Sequence, residues 1–170
     1  MVYASTPRRI RLVRTMNQEA LFSMPQESLT TDDYWTPKWI FDALGVEFDL
    51  DVACPPEGPV HTPATHFYTQ ETDGLSSPWF GNVWMNPPFS KTNNWAYKFM
   101  EHGYGICLVP MSKSRWFDAL WNNADGACAL PYNLRFEGHK RGSIFIACVM
   151  FAYGANNVEA MRQSKIGRVR

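Results

Sequence analysis

The sequence predicts an α/β fold with a mostly parallel sheet, helices on both faces and an antiparallel last strand. Three observations predict it. From residue 36 onward, short apolar runs alternate with segments of helical period, as βα units do. The last two apolar runs are joined without a clear helix, so the final pair is expected to be antiparallel. Hydrophobic residues make up 45% of the 170 and aromatics 15%, which argues for one folded domain with a proper core.

The elements follow in chain order. Residues 1–30 carry no sustained period and read as a mobile basic arm with Arg8, Arg9, Arg11 and Arg14. The folded domain is expected over 31–160, with a basic tail over 161–170. Thr36 is placed to cap a helix whose first position is Pro37, and Gly45 ends it. Residues 46–53 alternate as a strand. The stretch 54–80 is rich in Pro, Gly, Ser and Thr and reads as loop, with a short strand at 66–69. A buried strand at 81–85 runs into Asn86. Thr92 or Asn93 caps a helix to Glu101, and 105–109 is an apolar strand ending at Pro110. Ser114 starts a helix through Trp121, 127–130 is a third apolar strand, and 143–153 reads as one long strand.

Composition excludes several classes. No apolar run is long enough to span a membrane and no signal peptide is visible. Cys54, Cys107, Cys128 and Cys148 form no CxxC pair and read as buried thiols of a reducing cytoplasm. His61 and His66 near Cys54 have the ligand types of a metal cluster, but surface or satisfied histidines explain them better, so no metal is expected. The net charge is +0, so distribution carries more than the sum. Lys113 and Arg115 follow a strand, and Arg135, Lys140 and Arg141 are expected in one loop.

The chemistry concentrates in Asn86-Pro87-Pro88-Phe89. Prolines cannot continue a ladder, and Pro87 pushes Asn86 out of the helical region. The result is a stiff loop at a strand end that aims the Asn86 side-chain carbonyl and nearby backbone carbonyls in fixed directions. Phe89 adds a flat apolar face. Acceptors beside an aromatic face match the edge and face of a base that carries an exocyclic amino group. Read alone, the tetrapeptide is equally a proline turn that ends a strand.

Its context adds candidates at the carboxyl edge of the sheet, where open α/β sheets bind ligands. Asp51 ends the first strand, where a carboxylate meets a charged or hydroxyl-rich cofactor or simply faces water. Asp73-Gly74-Leu75 is either a carboxylate for an amino group or an ordinary Asp-Gly turn. Trp35-Thr36-Pro37 offers aromatic surface and a cap.

In their order along the chain, these motifs resemble the phage-type DNA N6-adenine methyltransferases, a compact Dam-like family. The resemblance covers about residues 33–153. It rests on Trp35-Thr36-Pro37, Phe48-Asp49-Leu50-Asp51-Val52-Ala53, Asp73-Gly74-Leu75, Trp79 with Asn86-Pro87-Pro88-Phe89, and Leu108-Val109-Pro110. It implies a Rossmann-like fold dependent on S-adenosylmethionine (AdoMet), acting on a flipped adenine of double-stranded DNA in the cytoplasm, the host's if the gene is a phage's. By the same resemblance, Trp35, Thr36, Pro37, Asp51, Ala53 and Asp73 line the cofactor pocket, and Asn86, Pro87, Pro88 and Phe89 hold the base. Lys113, Arg115, Arg135, Lys140 and Arg141 are expected to touch DNA. The chain departs from the family pattern after Asp51, where the glycine-rich turn is weak, and the short interval to Asn86 implies a trimmed fold. Cytosine N4, RNA adenine and a protein glutamine present a similar amino group, and a non-catalytic nucleic-acid module is the third class.

Overall fold

The computed structural model describes residues 34–130, 134–138 and 144–170. Its elements are β1 (Tyr34–Trp35), α1 (Lys38–Leu44), β2 (Phe48–Asp51), β3 (Ala64–Phe67), β4 (Val83–Met85), a 3-10 turn (Phe89–Lys91) and α2 (Thr92–His102). Then come β5 (Gly105–Pro110), α3 (Arg115–Asn123), β6 (Gly126–Ala129), β7 (Leu134–Gly138), β8 (Ile144–Ile146), β9 (Cys148–Tyr153), α4 (Ala155–Ser164) and β10 (Arg168–Val169). Seven strands form one sheet in the order β10-β6-β9-β5-β4-β2-β3, and β1-β7-β8 form a second, small sheet.

The large sheet is parallel through β3, β2, β4 and β5. Strand β9 then enters antiparallel between β5 and β6. Burial on both faces explains why the strands read as solid apolar runs. Trp84, Ile106, Leu108 and Met150 pack under α1 and α4. Val83, Met85, Cys107, Val109 and Phe151, their sequence neighbours, pack under α2 and α3. The period-2 alternation of strand side chains sends them to opposite layers. Phe41 meets the edge of Trp84 at 4.7 Å between ring centres, which fixes α1 to β4.

Several expectations change. Thr36 does not cap α1: Pro37 occupies the cap position in extended conformation without a side-chain bond, and the helix begins at Lys38. Gly45 does end that helix, at φ 60°, with its N–H donated to Phe41. Such a left-handed residue suits glycine. The strand expected over 143–153 is two strands in different sheets, β8 against β7 and β9 against β5 and β6. The break falls at exposed Ala147, whose carbonyl accepts the Met111 N–H at 2.9 Å. Apolarity persists across this break, so the run of residues hides it. Residues 161–170 are not a free tail. They complete α4 and add β10 to the sheet edge, with Arg168 opposite Ala129, Val169 opposite Cys128, and Ile166 buried. Basic residues alternate there with the apolar ones that dock the segment. Arg135 lies in strand β7 rather than in a loop, while Lys140, Arg141 and the arm over 1–30 fall outside the described residues. Strands β2 and β3 are parallel neighbours joined through 52–63 with no helix between them.

Candidate active site

Strand register brings the site together. Parallel pairing of Asp51 with Trp84 and of Met85 with Cys107 aligns the carboxyl ends of β2, β4 and β5. Asp51, the 86–89 loop and the segment after Pro110 therefore share one edge of the sheet.

The Asn86 loop is held from behind. Pro87 is buried, and Pro88 (φ −51°, ψ 119°) leads into the 3-10 turn. The Lys91 N–H donates to the Pro88 carbonyl at 2.9 Å, and the Thr92 hydroxyl donates to the Phe89 carbonyl at 3.1 Å. Phe89 meets Phe136 of β7 edge-on at 5.5 Å, so the small sheet supports the aromatic face of the loop. Against this rigid frame, Asn86 Oδ1 is buried and accepts no hydrogen bond from any described residue. An unsatisfied buried acceptor costs about 1–3 kcal/mol. Such an acceptor suits an N–H donor brought by a ligand.

Thr36 Oγ1 is the other buried side-chain polar atom without a partner among the described residues. It reaches this end of the molecule through β1, which pairs with β7 at Trp35 and Glu137. Glu137 in turn pairs with His61 at 2.8 Å, tying the small sheet to the loop after β2.

Asp51 is 3% exposed. Its carboxylate accepts the Ala53 N–H at 3.1 Å. Burial pushes its pKa up to about 6, against the lowering effect of bonds from the Thr62 hydroxyl and the Ala53 N–H. A buried carboxylate that close to neutrality suits a cationic or hydroxyl-bearing ligand. The neighbouring Cys54 thiol is pushed well up by its own burial and by the Asp51 and Glu57 carboxylates, so it is inert.

Asp73 is exposed and its carboxylate closes its own turn, accepting the Leu75 N–H at 3.1 Å and the Ser76 hydroxyl at 2.7 Å. The Ser76 bond, first among several, holds that carboxyl below its ordinary range. The Asp-Gly stretch nevertheless abuts the edge of the site. A Cβ on Gly74 would lie 2.0 Å from the Val52 carbonyl oxygen, so the loop backbone rests directly on the residue after Asp51. Lys113 and Arg115 are exposed beyond the end of β5, where Ser112 Oγ accepts the Ser114 N–H at 3.1 Å and shapes the turn into α3. Arg135 is exposed on β7. The four cysteines are buried and free, and no metal-binding cluster occurs among the described residues. Nor is any described helix long and apolar enough to cross a membrane.

Three contributors escape sequence reasoning. Thr62 acts on Asp51 from 11 positions away through a loop without period. Phe136 backs Phe89, and its only signal is the alternation of Leu134 and Phe136. Lys98 contacts the Gly74, Leu75 and Ser77 carbonyls from a helix read only for its cap and its extent.

The buried carboxylate of Asp51 fits AdoMet, because at a strand end it can face that molecule's cationic and hydroxyl groups. Residues 25–141 match the family model described as DNA N-6-adenine-methyltransferase (Dam). The DNA N-6-adenine-methyltransferase of Escherichia phage T1 is 38% identical over 85 residues, a match that covers 46% of this chain and 34% of that protein. The chain thus spans about a third of the length of that curated relative. No solved structure matches. With more than half of its length inside the family match, the chain belongs to the DNA N-6-adenine-methyltransferase (Dam) family.

Proposed function

We propose that this protein transfers a methyl group from AdoMet to the N6 amino group of adenine in DNA. The observation that carries the reading is Asn86 Oδ1, buried and unbonded on a proline-locked loop at the carboxyl edge of the sheet. The sheet order, with antiparallel β9 between β5 and β6, supports a trimmed Rossmann-like methyltransferase fold.

AdoMet supplies an electrophilic methyl group on a sulfonium. The chain supplies position. Asn86 Oδ1 and the Pro87 carbonyl accept the two N6 hydrogens and favour a more tetrahedral nitrogen, whose lone pair is otherwise delocalised into the ring. The N–C bond forms as the S–C bond breaks, the sulfur keeps its electron pair, and the N6 proton leaves to solvent. Preorganised acceptors and orientation lower the barrier without a strong base. Phe89 stacks on the adenine, and Phe136 keeps the Phe89 ring in place. A paired base cannot reach this loop, so the adenine is flipped out of the duplex. Trp35, Thr36, Pro37, Asp51, Ala53 and Asp73 border the cofactor, with Asp51 facing its charged or hydroxyl groups. Lys113, Arg115, Arg135, Lys140 and Arg141 contact phosphates. The four buried thiols suit a reducing cytoplasm.

The test is transfer of labelled methyl from AdoMet to unmethylated DNA, with nucleoside analysis of the product and Asn86→Ala in parallel. N6-methyladenine made by the parent and lost in the variant is expected. Label in cytosine, RNA or protein would move the acceptor, and no transfer by the parent would refute the reading.

A further inference from the structure

Helix α2 is bonded at two places to the two halves of the site. At its first residue, the Thr92 hydroxyl donates to the Phe89 carbonyl of the base-binding loop at 3.1 Å. Two turns on, the Lys98 ammonium donates to the carbonyls of Gly74, Leu75 and Ser77 at 3.0, 2.6 and 2.5 Å. All three N–H donors of the ammonium can thus be used on a single loop. Trp79 reinforces the junction: its indole N–H also donates to the Gly74 carbonyl at 2.7 Å. Its ring lies 5.1 Å from the Lys98 nitrogen and stacks on Trp95 of the same helix at 6.2 Å. The loop so gripped is the one whose Gly74 backbone rests on the Val52 carbonyl, beside Asp51. Asp73, at its start, holds φ 44°, a left-handed region that aspartate tolerates, and its carboxylate closes that turn on the Leu75 N–H and the Ser76 hydroxyl.

A lysine on a helix face ordinarily points to water. Here it replaces water for three carbonyls of one loop and ties that loop to the helix that also anchors Phe89. We propose that Lys98 is a positioning residue that fixes the 73–77 wall of the cofactor crevice relative to the base-binding loop. AdoMet affinity therefore depends on Lys98, although Lys98 touches no reacting atom. The inference rests on the AdoMet reading above and deepens it.

Lys98→Met tests it, because the thioether keeps the stem over Trp79 and removes all three donors. Lys98→Arg restores charge and donors. In calorimetry, Lys98→Met is expected to bind AdoMet about tenfold more weakly than the parent, with DNA affinity unchanged within about twofold and with substantial recovery in Lys98→Arg. Hydrogen exchange on the same proteins is expected to show faster exchange of the 73–77 amides, with α2 protection retained. That second measurement keeps the inference falsifiable if Lys98→Met melts early. Equal AdoMet affinity in parent and Lys98→Met, or unchanged 73–77 exchange, overturns the positioning role and leaves the function standing. A parent that binds no AdoMet overturns both.

Discussion

Asp51→Asn measures what a buried carboxylate costs this fold. The side chain is 3% exposed, and its pKa rises from an ordinary 3.8 to about 6 because burial penalises the charged form. The folded chain therefore holds that proton more tightly than the unfolded chain. The resulting stabilisation is full below 3.8, declines as pH rises from 3.8 to about 6, and is gone above it. At about 1.36 kcal/mol per tenfold in proton affinity, the whole effect is about 3 kcal/mol. Asparagine has no charge to desolvate, and its Oδ1 can still accept the Ala53 N–H. The variant is expected to be more stable than the parent above pH 6 by up to about 3 kcal/mol, with the difference vanishing near pH 4. For a domain of this size that is a Tm increase of about 6–12 °C. Thermal melts of both proteins without cofactor, from pH 4 to 8, read it directly, and the difference between the two cancels every other titrating group. A Tm difference that does not change with pH, or a variant less stable at pH 8, would refute the argument. On the cofactor role proposed for Asp51, the same variant is expected to lose AdoMet affinity.

Asn86→Ala is expected to lower methyl transfer by about 10²–10³ while leaving Tm unchanged or slightly higher, since it removes an unsatisfied acceptor. Chemical denaturation beside the activity assay checks both halves. Thr36→Val removes the other orphaned oxygen at constant shape and is expected to stabilise the cofactor-free protein by about 1 kcal/mol while weakening AdoMet binding. Melts with and without AdoMet, and titration calorimetry, separate the two effects. Phe89→Ala is expected to weaken transfer by about 1–3 kcal/mol through lost stacking, most of it in the KM for DNA. Steady-state kinetics over a DNA titration shows whether the loss is in KM or kcat. Neutralising Lys113 and Arg115 together is expected to weaken DNA binding uniformly across sequences and to reduce the salt slope by about 2. An unchanged slope would remove those residues from the interface.

The parts of the fold that sequence reveals are those in which one physical signal acts alone. Gly45 shows where α1 ends because a left-handed C-cap favours glycine, and the solid apolar run of β5 reveals a strand covered on both faces. Failures come where two signals overlap. Ala147 looks like any small residue of an apolar strand, yet there the chain leaves one sheet for another, a change set by pairing partners rather than by hydrophobicity. At the end of the chain, Ile166 and Val169 dock against the sheet while the basic residues around them, Lys165, Arg168 and Arg170, suggest a solvated tail. The candidate site divides in the same way. Asn86-Pro87-Pro88-Phe89 is legible because proline restricts its neighbours through covalent geometry, a local effect. Thr62 on Asp51, Phe136 behind Phe89 and Lys98 beneath Gly74 are not legible, because each acts across tertiary distance and none needs a distinctive neighbour in sequence. Those three support residues decide how the legible ones behave. Thr62 opposes the desolvation of Asp51, Phe136 packs edge-on against the Phe89 ring, and Lys98 ties the carbonyls of Gly74, Leu75 and Ser77 to α2. A chain with the same motif but without these supports would keep the signature of the site while losing its geometry, so the motif alone does not establish activity.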